Sequence, residues 1–165
     1  MSNTPRLRVP FLSPGQAQKE FFHNEALQTL DILVAAAVEE PPRNSPPTAP
    51  AVGACYIVGS APTGAWVGKG QCLVTFTGGG WRVVAPFEGL GAYVRSTGAW
   101  ALYRAGAWEL GVLRGASVVI AGQQVLGSRA SAIASASGGT TVDVQARAVI
   151  DQILTAMRQH GLIEP

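Results

Sequence analysis

The chain has two histidines, His23 and His160, and a general base or a metal site would be built on them first. Glu20 and His23 share a helix face at i,i+3, a spacing that suits a metal pair. No further ligands stand near them, and a solvated polar stripe is the ordinary alternative. His160 precedes Gly161 at the close of an apolar-periodic stretch, where its charge complements a helix C-terminus. Glu88 and Glu109 are the only carboxylates between Gly53 and Leu113. Facing each other across a sheet they would supply the pair that glycoside hydrolysis requires, whereas on separate surface positions they would do nothing of the kind. No Gly-x-Ser-x-Gly elbow occurs, and Gly78-Gly79-Gly80 leads into Trp81 where a phosphate loop needs Lys-Ser/Thr and a helix. Cys55 and Cys72 lie in or beside apolar runs, which favours reduced thiols over a disulfide framework. The parts for an enzyme are missing. We expect no catalytic residue, no metal and no cofactor.

The remaining chemistry is aromatic. All four tryptophans share one frame: Gly64-Ala65-Trp66, Gly79-Gly80-Trp81, Gly98-Ala99-Trp100 and Gly106-Ala107-Trp108. A turn glycine, a small residue and an indole are how a short strand begins, since glycine permits the positive φ of a tight turn and the ring packs on a pleated surface. An indole face also stacks on sugar rings and anchors protein interfaces. Trp100, Trp108 and Tyr103 are therefore candidate glycan contacts, with Tyr93 beside them; core packing and partner contact are the competing roles.

These residues need elements to hold them. Pro5 and Pro10, with Leu7, Val9 and Phe11 alternating around them, predict an extended arm with apolar teeth. Ser13, Pro14 and Gln16 read as N-cap, N1 and N3 of a helix. Its stripe is Ala17, Phe21, Leu27, Leu30, Val34 and Ala37 or Val38, widened by Phe22 and Leu33. Unbroken to Val38, that helix is about 37 Å long. Residues 41–52 are a proline-rich connector, expected to be stiff and to hold the helix away from the β region. Candidate strands are Ala54–Gly59, Gln71–Thr77, Trp81–Pro86, Ala92–Thr97, Trp100–Arg104 and Trp108–Leu113. A further bent strand or hairpin covers 117–127. Residues 128–139 form a loop. Thr140 then caps a second helix with Asp143 at N3, and Gly161 closes it. Val142, Ala146, Val149, Ile153 and Ala156 repeat at alternating four and three, a seam suited to self-association, with Ile150, Leu154 and Met157 as a second stripe.

The expected fold class is α+β: an oligomeric, small antiparallel β meander or barrel-like domain flanked by an N-terminal and a C-terminal helix. Its parts are an arm and helix at 1–40, the connector at 41–52, the β domain at 53–127, the loop at 128–139 and the C-terminal helix at 140–165. With 47% hydrophobic and only 13% charged residues, a lone monomer has little polar surface with which to cover itself. A small Ala/Gly-rich protein from a GC-rich genome shows the same composition. A net charge of +2 and singly scattered arginines exclude a nucleic-acid binder. The N-terminus lacks the apolar core of a signal peptide, and no apolar run is long enough for a membrane span.

The block from Thr4 to Asp31, with Pro14-Gly-Gln-Ala-Gln-Lys19 and His23-Asn-Glu-Ala-Leu27, resembles a phage-associated domain family of formerly unknown function. The proline-rich connector, Tyr56-Ile57-Val58, the Gly-Ala-Trp repeats and the tail from Gly138 to Ile163 extend the resemblance over nearly the whole chain. That family occurs in prophages and in gene transfer agents, the phage-like particles that package host DNA, and is similar there to head-spike proteins at capsid vertices. The resemblance implies a virion structural protein, assembled in the bacterial cytoplasm, whose associated biology is adhesion to host surface polysaccharide. No extended receptor-binding domain follows the β region, so a base that docks on the capsid and carries a fibre protein is the expected role. A module that contacts capsule directly is the alternative. Leu7, Val9, Phe11, Phe21 and Phe22 would then meet the capsid protein. Val142, Ala146, Val149, Ile153 and Ala156 would meet sister copies, five by symmetry matching to a vertex or three as in fibres.

Overall fold

The computed structural model describes residues 3–13, 15 and 19–165; Pro14, Gln16 and Ala17, expected to open the first helix, lie outside them. The chain divides into two compact units, Met1–Val112 and Leu113–Pro165. The hairpin region at 117–127, expected to belong with the other strands, groups with the C-terminal helix.

In the first unit, α1 (Lys19–Leu33) is followed by β1 (Ala37–Val38), β2 (Cys55–Ile57), a 3₁₀ turn at Gly64–Trp66, β3 (Leu73–Thr77), β4 (Gly80–Val84), β5 (Gly91–Val94), β6 (Ala99–Arg104) and β7 (Ala107–Leu110). The strands make two sheets, β1-β5-β6-β7 and β2-β3-β4. Each contains a three-strand antiparallel meander, and β1 joins β5 in parallel register, Ala37 opposite Tyr93 and Val38 opposite Val94. The α+β class holds, but the strands form two separate sheets where one continuous meander was expected.

The first helix does not reach Val38. Ala35 has φ +47°, and strand begins two residues later at Ala37. What ends it is Arg6: its Nη1 donates to the carbonyls of Asp31 (2.6 Å) and Ile32 (3.0 Å) and its Nη2 to that of Ala35 (2.7 Å). A guanidinium covers the carbonyls that a helix end leaves without donors, and it opposes their partial negative charge. Released from the helix, Val38 is fully buried between the sheets.

Alternation along β2 sends successive residues to opposite faces. Cys55, Ile57 and, from β3, Leu73 meet Ile32, Ala36, Val38, Leu90, Ala92, Val94, Ala101 and Trp108 in the larger core. Ala54, Tyr56, Val58 and Val74 face the other way and pack with Trp66, Cys72 and Trp81. The smaller sheet is thus buried on both faces. Trp66 corrects the strand-start reading of its frame: Gly64-Ala65-Trp66 is a 3₁₀ turn, and the indole is wholly buried as the cover of this second core. Its ring stands edge-on to Trp81 at 5.0 Å and tilted to Tyr56 at 5.8 Å. The other three frames do open strands.

The proline-rich connector is also not a spacer. Arg43 N donates to Ile57 O and Gly59 N to Arg43 O, so the segment lies along β2 in parallel. Asn44 fixes the next loop by accepting from Ala61 N and Thr63 N. Gly59 is required by this packing, because a Cβ there would sit 2.2 Å from Asn44 Oδ1 and 3.3 Å from the Arg43 carbonyl carbon.

In the second unit, β8 (Val118–Ile120) and β9 (Gln123–Leu126) form a hairpin, and α2 runs over Val144–Gln159. Ala130 pairs with Ile163. Asp143, not Thr140, is the N-cap: its carboxylate accepts from Ala146 N at 2.8 Å, the N3 amide. The other end is a Schellman stop, with Leu162 N donating to Met157 O, Gly161 N to Arg158 O, and Gly161 at φ +70°. The apolar residue tucked in is Ile163, one later than expected; Leu162 stays exposed.

Candidate functional site

The arm is folded onto α1, not extended. Thr4 N donates to Val9 O, and Asn3 bridges Pro10, closing residues 3–10 into a loop. Asp31, buried near the end of α1, takes Thr4 Oγ1 (2.7 Å) and Leu7 N (2.5 Å) on one oxygen and Arg6 N (3.0 Å) on the other. Asn24 repeats the device on the next turns, exchanging both its amide groups with Leu12. Of the expected teeth, Leu7 is exposed and Val9 and Phe11 are half-buried. Nothing but the polar character of Thr4, Arg6 and Asp31 within apolar surroundings signals this latch in the sequence.

Phe21 and Phe22 stand 62% and 75% exposed on the first turns of α1, packed edge to face on each other at 5.5 Å. Leu30 and Val34 are exposed as well. Of the expected stripe of α1, Phe21, Phe22, Leu30 and Val34 thus point to solvent and Leu27 is half-buried, while Leu33, with Ile32 and Ala36, faces the core. The Arg82 guanidinium and the Glu25 carboxylate form a two-pronged ion pair that ties the same helix to β4.

The three glycan candidates separate. Trp108 is only 9% exposed, and its Nε1 donates to Gln71 O at 2.8 Å, so it belongs to the core and offers no open ring face. Tyr103 packs against the same core, edge-on to Trp108. Trp100 lies on the other face of the larger sheet, 57% exposed, opposite Tyr93 in register and 5.8 Å from its ring. Gly91 lies beside them with a Cβ position 4.0 Å from the indole, leaving the ring room to lie over the strand.

Glu88 and the two histidines have structural work or open solvent around them. Glu88 Oε2 accepts from Ala105 N at the β6–β7 turn, which fixes that hairpin. His23 is exposed, and His160 is the C-cap of α2, where its own N–H bonds Ala156 O. No cluster of three potential metal ligands occurs among the described residues. Cys55 is buried with Sγ 2.5 Å from Thr75 Oγ1, and burial pushes its thiol above its ordinary range. Cys72, half-buried, is raised by the same cause, and both are free. Burial, with Glu39 and Glu40 nearby, raises Tyr56 too. An open groove of about 770 Å³ runs between the arm and the connector, lined by Pro5, Leu7, Glu39, Val52, Tyr56 and Arg95. Arg95 Nη1 bonds Glu39 Oε1 at 2.9 Å, and Arg6, which also lines the groove, has its guanidinium on the carbonyls at the end of α1.

On α2, Ala146, Val149, Ile153 and Ala156 are exposed along one face. Val142 precedes the cap and lies off the helix. Of the second stripe only Leu154 is buried, with Met157 half-buried and Ile150 open.

Residues 23–109, more than half of the chain, match the family model described as Protein of unknown function (DUF2793), and the chain belongs to that family. No curated protein matches the chain.

Proposed function

We propose that this member of the DUF2793 family is a structural, non-catalytic component of a phage-like particle. In this reading it is the head-spike base that docks at capsid vertices and carries a fibre used for attachment to host polysaccharide. The observation that carries the assembly part is the placement of apolar side chains. Phe21, Phe22 and Leu30 on α1, and Val149 and Ile153 on α2, face outward from helices whose opposite sides are already packed. Apolar helix faces left in water mark surfaces that other subunits cover. The particle itself enters through the resemblance of the Thr4–Asp31 block and the Gly-Ala-Trp repeats. Electron microscopy of intact particles tests this: density fitting the chain at the capsid vertices is the expected result. Its absence from the particle, or a chain that stays monomeric at micromolar concentration, refutes the reading.

The Tyr93–Trp100 pair favours a second reading, direct contact with capsule. An exposed indole beside a tyrosine on the outer face of the sheet suits the apolar side of a sugar ring. Trp100→Ala would then abolish binding to purified capsule polysaccharide while leaving the fold intact. Unchanged binding rejects that role for Trp100.

A further inference from the structure

Helix α2 turns one side toward its own unit. Leu154 is buried there, Arg147 Nη2 reaches Gly138 O, and Arg158 Nη2 reaches Ile133 O at 2.6 Å. The opposite side carries Ala146, Val149, Ile153 and Ala156 at spacings of three, four and three, with Val149 53% and Ile153 55% exposed. One border of this strip is Ile150 and Met157. The other is Gln145, Gln152 and Gln159, recurring every seven residues. The helix's charges, Arg147, Asp151 and Arg158, all fall outside strip and borders.

Two properties of this face select its partner. Its borders are uncharged, so an identical helix in parallel register meets no like-charge repulsion, and each glutamine amide offers both the donor and the acceptor its counterpart needs. Apolar character also spills onto one border at Ile150, making the strip wider than the two positions per heptad that a paired helix covers. The rest of the unit has the same need. Leu154 and Ile163 are its only buried apolar side chains among the described residues, and the hairpin exposes Val118, Val119, Ile120, Val125 and Leu126. So small a unit has no adequate core of its own.

We infer that α2 packs in parallel with α2 of at least two further copies of this chain, through Ala146, Val149, Ile153 and Ala156. Closed rotational symmetry places the helices around one axis, and the second unit completes its core only as they meet. The inference rests on the homo-oligomeric part of the proposed function and names the element responsible.

The test uses the full chain and light-scattering mass. Wild type is expected at three or more times the 17.1 kDa chain, and Val149→Glu with Ile153→Glu at one. All four tryptophans precede Leu113, so their fluorescence verifies that the first unit of the variant is folded. A second variant, Ile153→Cys with Cys72→Ser, is expected to form interchain disulfides on mild oxidation, since parallel register brings the same position of neighbouring copies together. A monomeric wild type overturns this inference and the reading beneath it. An oligomer whose mass survives the double substitution overturns the inference alone. A two-chain mass overturns the copy number, and an oligomer that fails to cross-link at 153 overturns the parallel arrangement.

Discussion

Replacing Asp31 by asparagine changes a carboxylate that only accepts into an amide that also donates, at a place where three donors converge. If the amide oxygen keeps Thr4 Oγ1 and Leu7 N, its nitrogen confronts Arg6 N–H, which now has no acceptor. Hydrogen bonds to a charged acceptor contribute about 1.5–3 kcal/mol each, neutral ones nearer 1 kcal/mol. Losing one and weakening two gives a cost of roughly 2–4 kcal/mol. Asp31→Ala removes all three and costs roughly 3–5 kcal/mol, capped by the free energy of docking the arm, because a detached arm is solvated by water. Urea denaturation followed by tryptophan fluorescence reads this directly, as every tryptophan lies in the first unit. Trypsin supplies the local measurement: cleavage after Arg6 and Arg8 should accelerate in both variants, because the backbone amides of Arg6 and Leu7 lose the carboxylate that fixes the arm. An Asp31→Asn protein with the wild-type midpoint and wild-type cleavage rate would refute the latch.

Other expectations rest on single features. Trp108→Ala should cost about 3–5 kcal/mol in the same titration and Trp100→Ala under about 1 kcal/mol, given their burial; equal costs would contradict their placement on opposite sheet faces. Cys72 should react with a thiol reagent on the native protein and Cys55 only after unfolding, in a two-phase titration. The folded thiols and Tyr56 hold their protons more tightly than in the unfolded chain. Their contribution is therefore complete below about pH 9, the ordinary thiol value, and stability falls as pH rises beyond it; a flat urea midpoint from pH 8 to 10.5 would disprove this. Ala105 at φ +49° precedes Gly106 in the β6–β7 turn, so Ala105→Gly should raise stability by about 0.5–1 kcal/mol.

The strands were legible because glycine punctuates them. Each of the six expected segments overlaps an observed strand, with every end within three residues of its expected place; four of the strands open one residue early, on the small residue before the expected start. Pairing was less so. Ala37-Val38 is two residues long and continues the helical spacing of Phe21, Leu30 and Val34, so periodicity assigned it to the helix; only the side chain of Arg6 and the distant β5 overrule it. The four matching tryptophan frames hid one exception. Trp66 follows a loop that must cover the second face of the smaller sheet, and burial there decides its conformation. The seam of α2 could be read from its spacing, but not which stripe its own chain would cover. That depends on where Ile163 returns, a tertiary fact without local signal.

The stretch around β1 is held by two sheets whose strands lie at very different distances along the chain. Glu39 N bonds Cys55 O in one, while the carbonyls of Ala36, Val38 and Glu39 receive Tyr93, Arg95 and Ser96 of the other. As the chain leaves the ribosome, the smaller sheet can close on its own hairpins. The free edge of β1 must still wait for residues more than fifty positions downstream, as the Glu39–Arg95 separation of 56 measures. Nascent chains halted before residue 93 would keep that edge unpaired, so stalled or prematurely terminated products should be the ones that clump.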